Sequence, residues 1–559
     1  MTTGAPQKWS DAQLSHNRIA SLMPPLPVQY LAFIALSLAL VIYQAWTRRK
    51  SSIADLPGPK PESLLLGSVR EHQHDEVGAA ELKWRAQYGD VYRVKGVLGT
   101  YRLFVSDPKA IRHIHHSGYI IRKQPFRIEL SRLLVGAGLS TVDGENHRRH
   151  RRINSPAFGT NHALGLLQKL SKVWQEKLKA EDSIVVDTPQ YFSKFLLDVI
   201  GEVAFDYRFG ASDGDTAGFS AALSGILPQI HAVPSDMQLF IFGLMEILPA
   251  KLMQLYMRHA PTAGLRNSRR VHNIITNVAR RLVSEKTADL AAGKAKRDIL
   301  SLLVKANASE NPRTSLSEHE MLSQMHTMMQ AGHETTANTL SWTIFELSQR
   351  QDVQNKLRAE IHEMERVMRA RGQTEYTWTE FDAMPYTIAV MKETLRYHPV
   401  AFNNVREAVC DQVLPLSKPI VTKSGETLTE LPIAKDQIIV VSVAAYNRNE
   451  DVFGSDASVF NPERWLDDTV RTDVQLGPYA NLMTFGSGHR ACIGYRFAVY
   501  EYQTFLVELV KNFRFSMDPE VVKRVRRNPT GVLMLPILSG ERTSRLPVHI
   551  TSVDESATT

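Results

Sequence analysis

The sequence contains little cysteine, and it lacks internal repeats and a low-complexity tail. Its 559 residues include only Cys410 and Cys492, so at most one disulfide could form, which excludes a small disulfide-stapled scaffold. Hydrophobic residues make up 43% and charged residues 22%, which excludes a disordered chain. The net charge of +8 is spread along the chain, so we do not expect nucleic acid as a partner.

One segment near the N-terminus lacks charge altogether. No charged residue lies within 19–47, and 28–46 is almost wholly apolar. A helix of that length is about 28 Å long, close to the hydrocarbon thickness of a bilayer. Three basic residues at 48–50 follow and, by the positive-inside rule, place the rest of the chain in the cytosol. We therefore predict a tail over 1–25 and a single uncleaved transmembrane anchor over 26–47, with a cleaved signal peptide as the alternative.

The remaining chain predicts a mainly α fold with small β-sheets, an α+β class. A proline-rich linker over 48–61 cannot continue a helix. Apolar residues at three- and four-residue spacing predict helices over 163–208, 271–303 and 317–350. β-rich runs predict short strands, which lie at 89–94, 101–105, 420–421, 437–443 and 532–535. Length alone suggests roughly four domains.

A glycine-rich bend surrounds Cys492. The run FGSGHRACIG, residues 485–494, places this cysteine before a predicted helix N-terminus, whose free N–H groups would stabilise a thiolate. The glycines would let the backbone approach a flat ligand. A buried, inert cysteine is the alternative. The segment resembles the haem-binding loop of cytochromes P450 at its defining positions, which are Phe485, Gly488, Arg490, Cys492 and Gly494.

This resemblance implies a role for each matching side chain. Cys492 would be the axial thiolate ligand of haem iron, and Phe485 would shield its sulfur. Arg490 would bind a haem propionate, and Arg406 resembles a further propionate-binding arginine of the family. Cys410 has no such setting and is interpreted as structural.

Two further motifs are similar to those of the same family. In KETLR, Glu393 and Arg396 are three residues apart and share a helical face, and FNPERW supplies Arg464. A surface ion pair is the ordinary interpretation of either motif alone. Because their order and spacing resemble the P450 pattern, the resemblance implies a buried charge network of Glu393, Arg396 and Arg464 that holds the cysteine loop.

The run AGHETT, residues 331–336, lies inside the helix predicted over 317–350. Ala331 and Gly332 are small enough to leave room for a planar ligand and dioxygen, and Thr335 faces the same side as Ala331. The run resembles the oxygen-activation groove of P450s, in which Glu334 and Thr335 would form the acid–alcohol pair that relays protons. A zinc hydrolase would need a second histidine at position 337, which is Ala337.

The basic run HRRHRR, residues 147–152, has two interpretations. It could be a solvated basic face. It also resembles the family helix in which an aromatic residue and an arginine contact a propionate. Here His147 stands in place of the usual tryptophan, and Arg151 is the arginine. Its other basic side chains could meet the acidic face of a redox partner.

Together the motifs imply one cytochrome P450 fold over 62–547, preceded by a single N-terminal transmembrane helix and followed by a tail over 548–559. The expected protein binds haem b in the endoplasmic reticulum membrane and hydroxylates or otherwise oxidises a hydrophobic small molecule, such as a terpenoid or another secondary metabolite. Only 67 residues follow Cys492, too few for a fused reductase. Electrons would therefore come from a separate NADPH–cytochrome P450 reductase, with cytochrome b5 as an optional second donor.

Two alternatives stay open at this point. One is a P450 isomerase or dehydratase that needs no reductase, and the other is a non-catalytic haem-binding membrane protein. By family analogy the substrate pocket would be lined by the groove before Thr335 and by four segments, 122–134, 226–248, 400–405 and 531–535.

Overall fold

The computed structural model describes residues 51–159, 164–213, 234–260, 262–294, 298–308, 315–467, 469–471, 473–531 and 533–553. The predicted anchor over 26–47 lies outside these ranges. Within them, no helix combines the length and the apolar character that crossing a bilayer requires.

Helices make up most of the described fold. They begin with α1 (Val69–His74), α2 (Ala79–Tyr88), α3 (Pro108–His116), α4 (Pro125–Val135), α5 (Gly144–Asn154), α6 (Leu164–Leu178), α7 (Thr188–Phe205), α8 (Asp236–Ile247), α9 (Ala250–His259) and α10 (Ala263–Ala291). They continue with α11 (Ile299–Asn307), α12 (Glu318–Gln349), α13 (Gln351–Ala370), α14 (Trp378–Asp382), α15 (Pro385–Tyr397), α16 (Val443–Tyr446), α17 (Glu450–Phe453), α18 (Tyr495–Asn512) and α19 (Pro519–Val522).

The strands form small sheets at the edges of the helical body. They are β1 (Val91–Lys95), β2 (Tyr101–Val105), β3 (Ile121–Lys123), β4 (Ile184–Asp187), β5 (Asn403–Ala408), β6 (Gln412–Val421), β7 (Thr427–Ile433), β8 (Ile438–Ser442), β9 (Phe513–Ser516), β10 (Val525–Thr530), β11 (Leu533–Leu538) and β12 (Pro547–Ser552). The largest sheet has the order β1-β2-β8-β5-β3, and only its β2–β8 pair is parallel. A second sheet has the order β4-β12-β9, and β6–β7 and β10–β11 form two-stranded sheets. The predicted mainly α fold with small sheets is confirmed.

The predicted helices differ from the observed ones where a tertiary partner intervenes. The helix predicted over 317–350 is α12, which begins after Ser317 because the Ser317 hydroxyl and the Glu320 carboxylate form a capping box. The stretch predicted to be helical over 163–208 contains α6 and α7, and between them lies the unpredicted strand β4, which pairs with β12. The stretch predicted to be helical over 271–303 contains the end of α10 and the start of α11, which begins where Asp298 accepts the N–H of Ser301 at 2.9 Å.

Helix α12 passes through the core and packs against α7 and α18. Most of its side chains are buried, but Thr327, Ala331 and Thr335 are accessible. These three recur every fourth residue and therefore share one face of the helix. An accessible face on a helix surrounded by protein must border a cleft inside the fold.

Candidate active site

The loop before α18 is bent so tightly that two of its residues must be glycine. Gly486 and Gly488 have positive φ angles of 68° and 63°. A Cβ at Gly488 would stand 2.1 Å from the carbonyl oxygen of His115 in α3, so only glycine lets the loop lie against that helix. The N–H of Cys492 donates to the carbonyl of Phe485 at 2.8 Å and closes the bend. The Phe485 ring is partly buried between Tyr479 and Tyr495.

The thiol of Cys492 faces an opening within the protein. Its side chain is accessible, yet the surrounding protein is dense enough that burial raises its pKa. The N–H of Gly494 and the charge of Arg151 act in the opposite direction but do not prevail. Desolvation is thus the larger effect on this pKa, although the N–H of Gly494 acts in the direction expected of a helix N-terminus that stabilises a thiolate. A metal ion bound to the sulfur would favour the thiolate further. Cys410 is exposed at the surface, where it packs into no core.

Thr335 and Ala331 lie on the accessible face of α12. The Thr335 hydroxyl donates to the carbonyl oxygen of Ala331 at 2.9 Å, so a polar hydrogen-bonding pair borders the cleft. Gly332 was predicted to leave room for a ligand, but the structure places it against a neighbouring helix. A Cβ there would stand 2.8 Å from the Ile200 side chain of α7, so its lack of a side chain permits the packing of the two helices.

Glu334 is turned away from Thr335. Its carboxylate accepts a hydrogen bond from the Ser193 hydroxyl of α7 at 2.8 Å. It accepts a second one from the Asn338 amide, one turn further along α12, at 3.3 Å. The ring of the buried His333 lies 3.4 Å from the same carboxylate. The structure therefore does not bring the two members of the predicted acid–alcohol pair to one face.

Several buried cations converge near the cysteine loop. Arg406 on β5 is only 5% exposed, and no hydrogen bond or ion pair to its guanidinium is found among the described residues. Burial and the charge of Arg490 lower the pKa of Arg406 to about 10. The Arg490 guanidinium donates to the Val142 carbonyl at 3.1 Å and pairs with Asp143, whose carboxylate also accepts the N–H of Gly144. Burial likewise lowers the pKa of Lys123 to about 7.

The two residues predicted from the basic run have contacts of their own. Arg151 donates to the carbonyl oxygen of Ala491 at 2.7 Å and so holds the backbone next to the cysteine. His147 is buried, and its Nδ1 lies 2.8 Å from the Tyr119 hydroxyl. Burial, followed by the charges of Arg490 and other neighbouring cations, lowers the pKa of His147 to about 3, so this ring is neutral.

Glu393, Arg396 and Arg464 form one network without exposure to solvent. Arg396 donates to both carboxylate oxygens of Glu393, at 2.8 and 2.7 Å, and Arg464 donates to one of them at 3.2 Å. The N–H of Asn461 and the indole N–H of Trp465 also donate to Glu393, at 2.7 and 2.9 Å. The remaining donors of both arginines reach backbone carbonyls and Asp456. Every charge in the network is thereby paired or hydrogen-bonded.

Arg396 connects this network to the chain that leads to the cysteine. Its guanidinium donates to the carbonyl of Asn447 at 2.9 Å. The Asn447 side chain in turn accepts the N–H of Met483 at 3.1 Å and donates to the Thr484 hydroxyl at 2.9 Å. Since Met483 and Thr484 immediately precede the loop at 485–494, the network fixes the start of that loop.

The donor set fits an iron porphyrin. Such a group has a metal that accepts a thiolate ligand and two carboxylates that need cations. The structure offers an accessible thiol at Cys492, an arginine without a partner at Arg406, and an orphaned imidazole nitrogen, Nε2 of the buried His115. A single carboxylate, Asp143, lies among the described cations of this region and is already engaged by Arg490. The fold and this site define the class of haem-thiolate proteins.

Comparison with known proteins gives the family. The sequence model of the family Cytochrome P450 matches residues 56–540. The chain is 31% identical over 525 residues to cytochrome P450 monooxygenase claQ of Ampulloclitocybe clavipes, which covers 90% of this chain and 94% of the relative. It is 31% identical over 524 residues to cytochrome P450 monooxygenase 91 of Postia placenta, with the same two shares. The chain belongs to the cytochrome P450 family and is a P450 monooxygenase. Membership implies haem, a redox partner that supplies electrons, and a small-molecule substrate.

Sequence reasoning missed two charged residues of the site, Lys123 and Asp143. Lys123 lies in a three-residue strand, Ile121–Lys123, which is too short to show an alternating pattern. Asp143 has the signal of a helix N-cap, since it directly precedes Gly144 at the start of α5. Its pairing with Arg490, which lies 347 positions away in the chain, leaves no local signal.

Proposed function

We propose that this protein oxidises a hydrophobic small molecule with dioxygen and with electrons from NADPH–cytochrome P450 reductase, using haem b held by Cys492. When bound, the haem supplies dioxygen activation, so that one oxygen atom enters the substrate and the other leaves as water, with two electrons and two protons consumed. The observations that carry this proposal are the accessible Cys492 thiol in its glycine-bent loop and the accessible Thr335 hydroxyl on α12.

The chain's own residues support this assignment in distinct ways. Arg490 and Arg406 supply positive charge for carboxylates of the cofactor. Thr335 holds a hydroxyl proton at its Oγ1, bonded to the Ala331 carbonyl, where it can be passed into the cleft. Glu334 would have to leave Ser193 to reach the same face, so we assign it to proton supply from behind the helix.

A hydrophobic substrate is supported by the apolar cluster between α4, α8 and α9. Phe126, Met245, Met253 and Met257 are buried together there, and they belong to or adjoin two of the segments predicted to line the pocket.

We also propose that the protein is anchored in the endoplasmic reticulum membrane with its catalytic part in the cytosol. The apolar stretch 28–46 supports this, as do the exposed side chains of Leu64, Leu65 and Met237, which flank the contact between α1 and α8. Removal of residues 1–47 should weaken membrane association in a carbonate-extraction experiment. If carbonate released the full chain and the truncated chain from the membrane to the same extent, the anchor would be contradicted.

The carbon-monoxide difference spectrum of the reduced protein tests the haem site, and turnover with the reductase tests the reaction. A thiolate-type Soret band together with NADPH-dependent oxidation of a terpenoid panel is the expected result. Product formation that persists without NADPH and reductase would instead support an isomerase or dehydratase. Absence of the band in folded, haem-supplied protein would overturn the assignment of Cys492. Cytochrome b5 is tested as an additional electron donor in the turnover assay.

A further inference from the structure

Arg127 of α4 is a cation that forms no ion pair within the described part of the chain. Its guanidinium makes one hydrogen bond, from Nη1 to the carbonyl oxygen of Gly531 at 3.4 Å, which is longer than usual. Its Nε is buried and has no hydrogen-bond partner. Because arginine keeps its charge at physiological pH and presents five N–H donors, most of the binding capacity of this side chain is unused.

Arg127 lies where two of the segments predicted to line the substrate pocket meet. It belongs to 122–134, and Gly531, in the turn between β10 and β11, belongs to 531–535. The side chain is partly accessible, yet protein surrounds it closely enough that burial lowers its pKa. An accessible group in such surroundings borders a cleft of the fold and not the open surface.

The carboxylates around Arg127 already have cations of their own. Glu246 of α8 is the carboxylate whose charge acts on Arg127, and it forms an ion pair with Arg102 of β2 at 2.6 Å. β2, β10 and β11 contain no aspartate or glutamate. The other carboxylates of α4 and α8 are Glu129, paired with Arg132, and Asp236, paired with Arg70. The charge of Arg127 therefore needs an anion that these elements do not supply.

Apolar side chains adjoin this cation. Phe126, the residue before Arg127, is buried in the cluster that α4 forms with α8 and α9. Leu130 is only partly buried and lies one helical turn after Arg127, so the two side chains share a face of α4. A ligand that reaches the guanidinium therefore meets a positive charge beside an apolar surface.

We propose that the substrate is an apolar carboxylic acid and that Arg127 binds its carboxylate. The proposal rests on the oxidation of a hydrophobic molecule, which belongs to the proposed function. A carboxylate would supply the missing charge and would accept two parallel hydrogen bonds from the planar guanidinium. The competing explanation is that Arg127 only holds the β10–β11 turn through the Gly531 carbonyl.

Binding of acids and of their methyl esters separates these explanations, because an ester has the same apolar body without the charge. The probes are dehydroabietic acid and dodecanoic acid, each with its methyl ester, and binding to the haem-loaded full chain is measured from the shift of the Soret band at neutral pH. We expect the wild-type protein to bind at least one acid about tenfold more tightly than its ester. R127Q should bind that acid about tenfold more weakly than wild type and the ester equally well.

Further variants sharpen the test. R127Q keeps an N–H donor for the Gly531 carbonyl, and R127L, which removes both charge and donor, serves if R127Q does not fold. R127K keeps the charge without the planar fork, so it should retain part of the preference for the acid. The exposed Arg258 of α9 provides a matched control, and R258Q should leave the preference unchanged.

The outcomes are distinguishable. Weaker binding of acid and ester by the same factor in R127Q would assign Arg127 to the turn alone and overturn the proposal. A wild-type protein that prefers neither acid to its ester would also overturn it, as would an equal loss of preference in R258Q. A thiolate-type carbon-monoxide band without any preference for an acid refutes the substrate class alone, whereas absence of that band refutes the haem site itself.

Discussion

Removal of the charge of Glu393 should unfold the region that holds the cysteine loop. In E393Q, an NH₂ group replaces one of two oxygens, each of which accepts at least two hydrogen bonds. Arg396 and Arg464, which are 0% and 1% exposed, would then have no formal counter-charge at this position. Breaking a buried ion pair in this way costs 3–5 kcal/mol, so we expect a loss of about 4 kcal/mol. That is a large part of the 5–15 kcal/mol typical of a folded domain.

A loss of this size raises the ratio of unfolded to folded protein roughly a thousandfold. The free energy of unfolding of the full chain in detergent is measured from urea curves, and haem content is measured on the same preparations. Glu463 provides a matched control from the neighbouring 3₁₀ turn, because its carboxylate forms an exposed ion pair with Lys356 at 2.6 Å. E463Q should cost less than about 1 kcal/mol. A loss below about 1 kcal/mol in E393Q, or equal losses in the two variants, would refute the reasoning.

Three other substitutions test separate parts of the structure. T335A should keep the thiolate-type spectrum but divert NADPH-derived electrons to hydrogen peroxide, and unchanged coupling to product would contradict the role of the hydroxyl. G332A should cost about 1–3 kcal/mol in urea unfolding because its Cβ meets Ile200 at 2.8 Å. In a chain that already carries I200A the same substitution should cost less, and an equal cost in both backgrounds would contradict the packing explanation. Burial raises the pKa of Glu501 to about 8, so the contribution of this side chain to stability is present at pH 4 and is lost as the pH rises from 4.5 through 8. E501Q should therefore make the free energy of unfolding less dependent on pH, and an unchanged pH dependence would contradict this explanation.

The fold could be predicted from the sequence wherever one element carries its own signal. The capping box at Ser317 and Glu320 and the long apolar periodicity after it define α12 almost to the residue. The strand β4 inside the helical stretch 163–208 could not be predicted, because it depends on pairing with β12 at the other end of the chain. Predicted boundaries therefore failed where a distant strand decides the conformation of a short segment.

The candidate site was predictable as a set of residues but not as an arrangement. The resemblance of short motifs to those of the family identified Cys492 and the three residues of the buried network. Spacing could not show that burial would raise the pKa of the Cys492 thiol, since desolvation depends on the surrounding elements. It also could not show that Gly332 faces Ile200, since a small residue on a helix suits a ligand and a neighbouring helix equally well.

The orientation of Glu334 follows from the helix geometry. Consecutive residues of an α-helix are rotated by about 100°, so Glu334 and Thr335 cannot both point straight into the cleft. With Thr335 on the accessible face, Glu334 lies beside α7, where the Ser193 hydroxyl and the Asn338 amide hold its carboxylate. In the proposed relay, a proton would pass from Glu334 to Thr335 around the helix, through water or through a change of rotamer. The two residues would then act in sequence, with Glu334 outside the cleft and Thr335 at its surface.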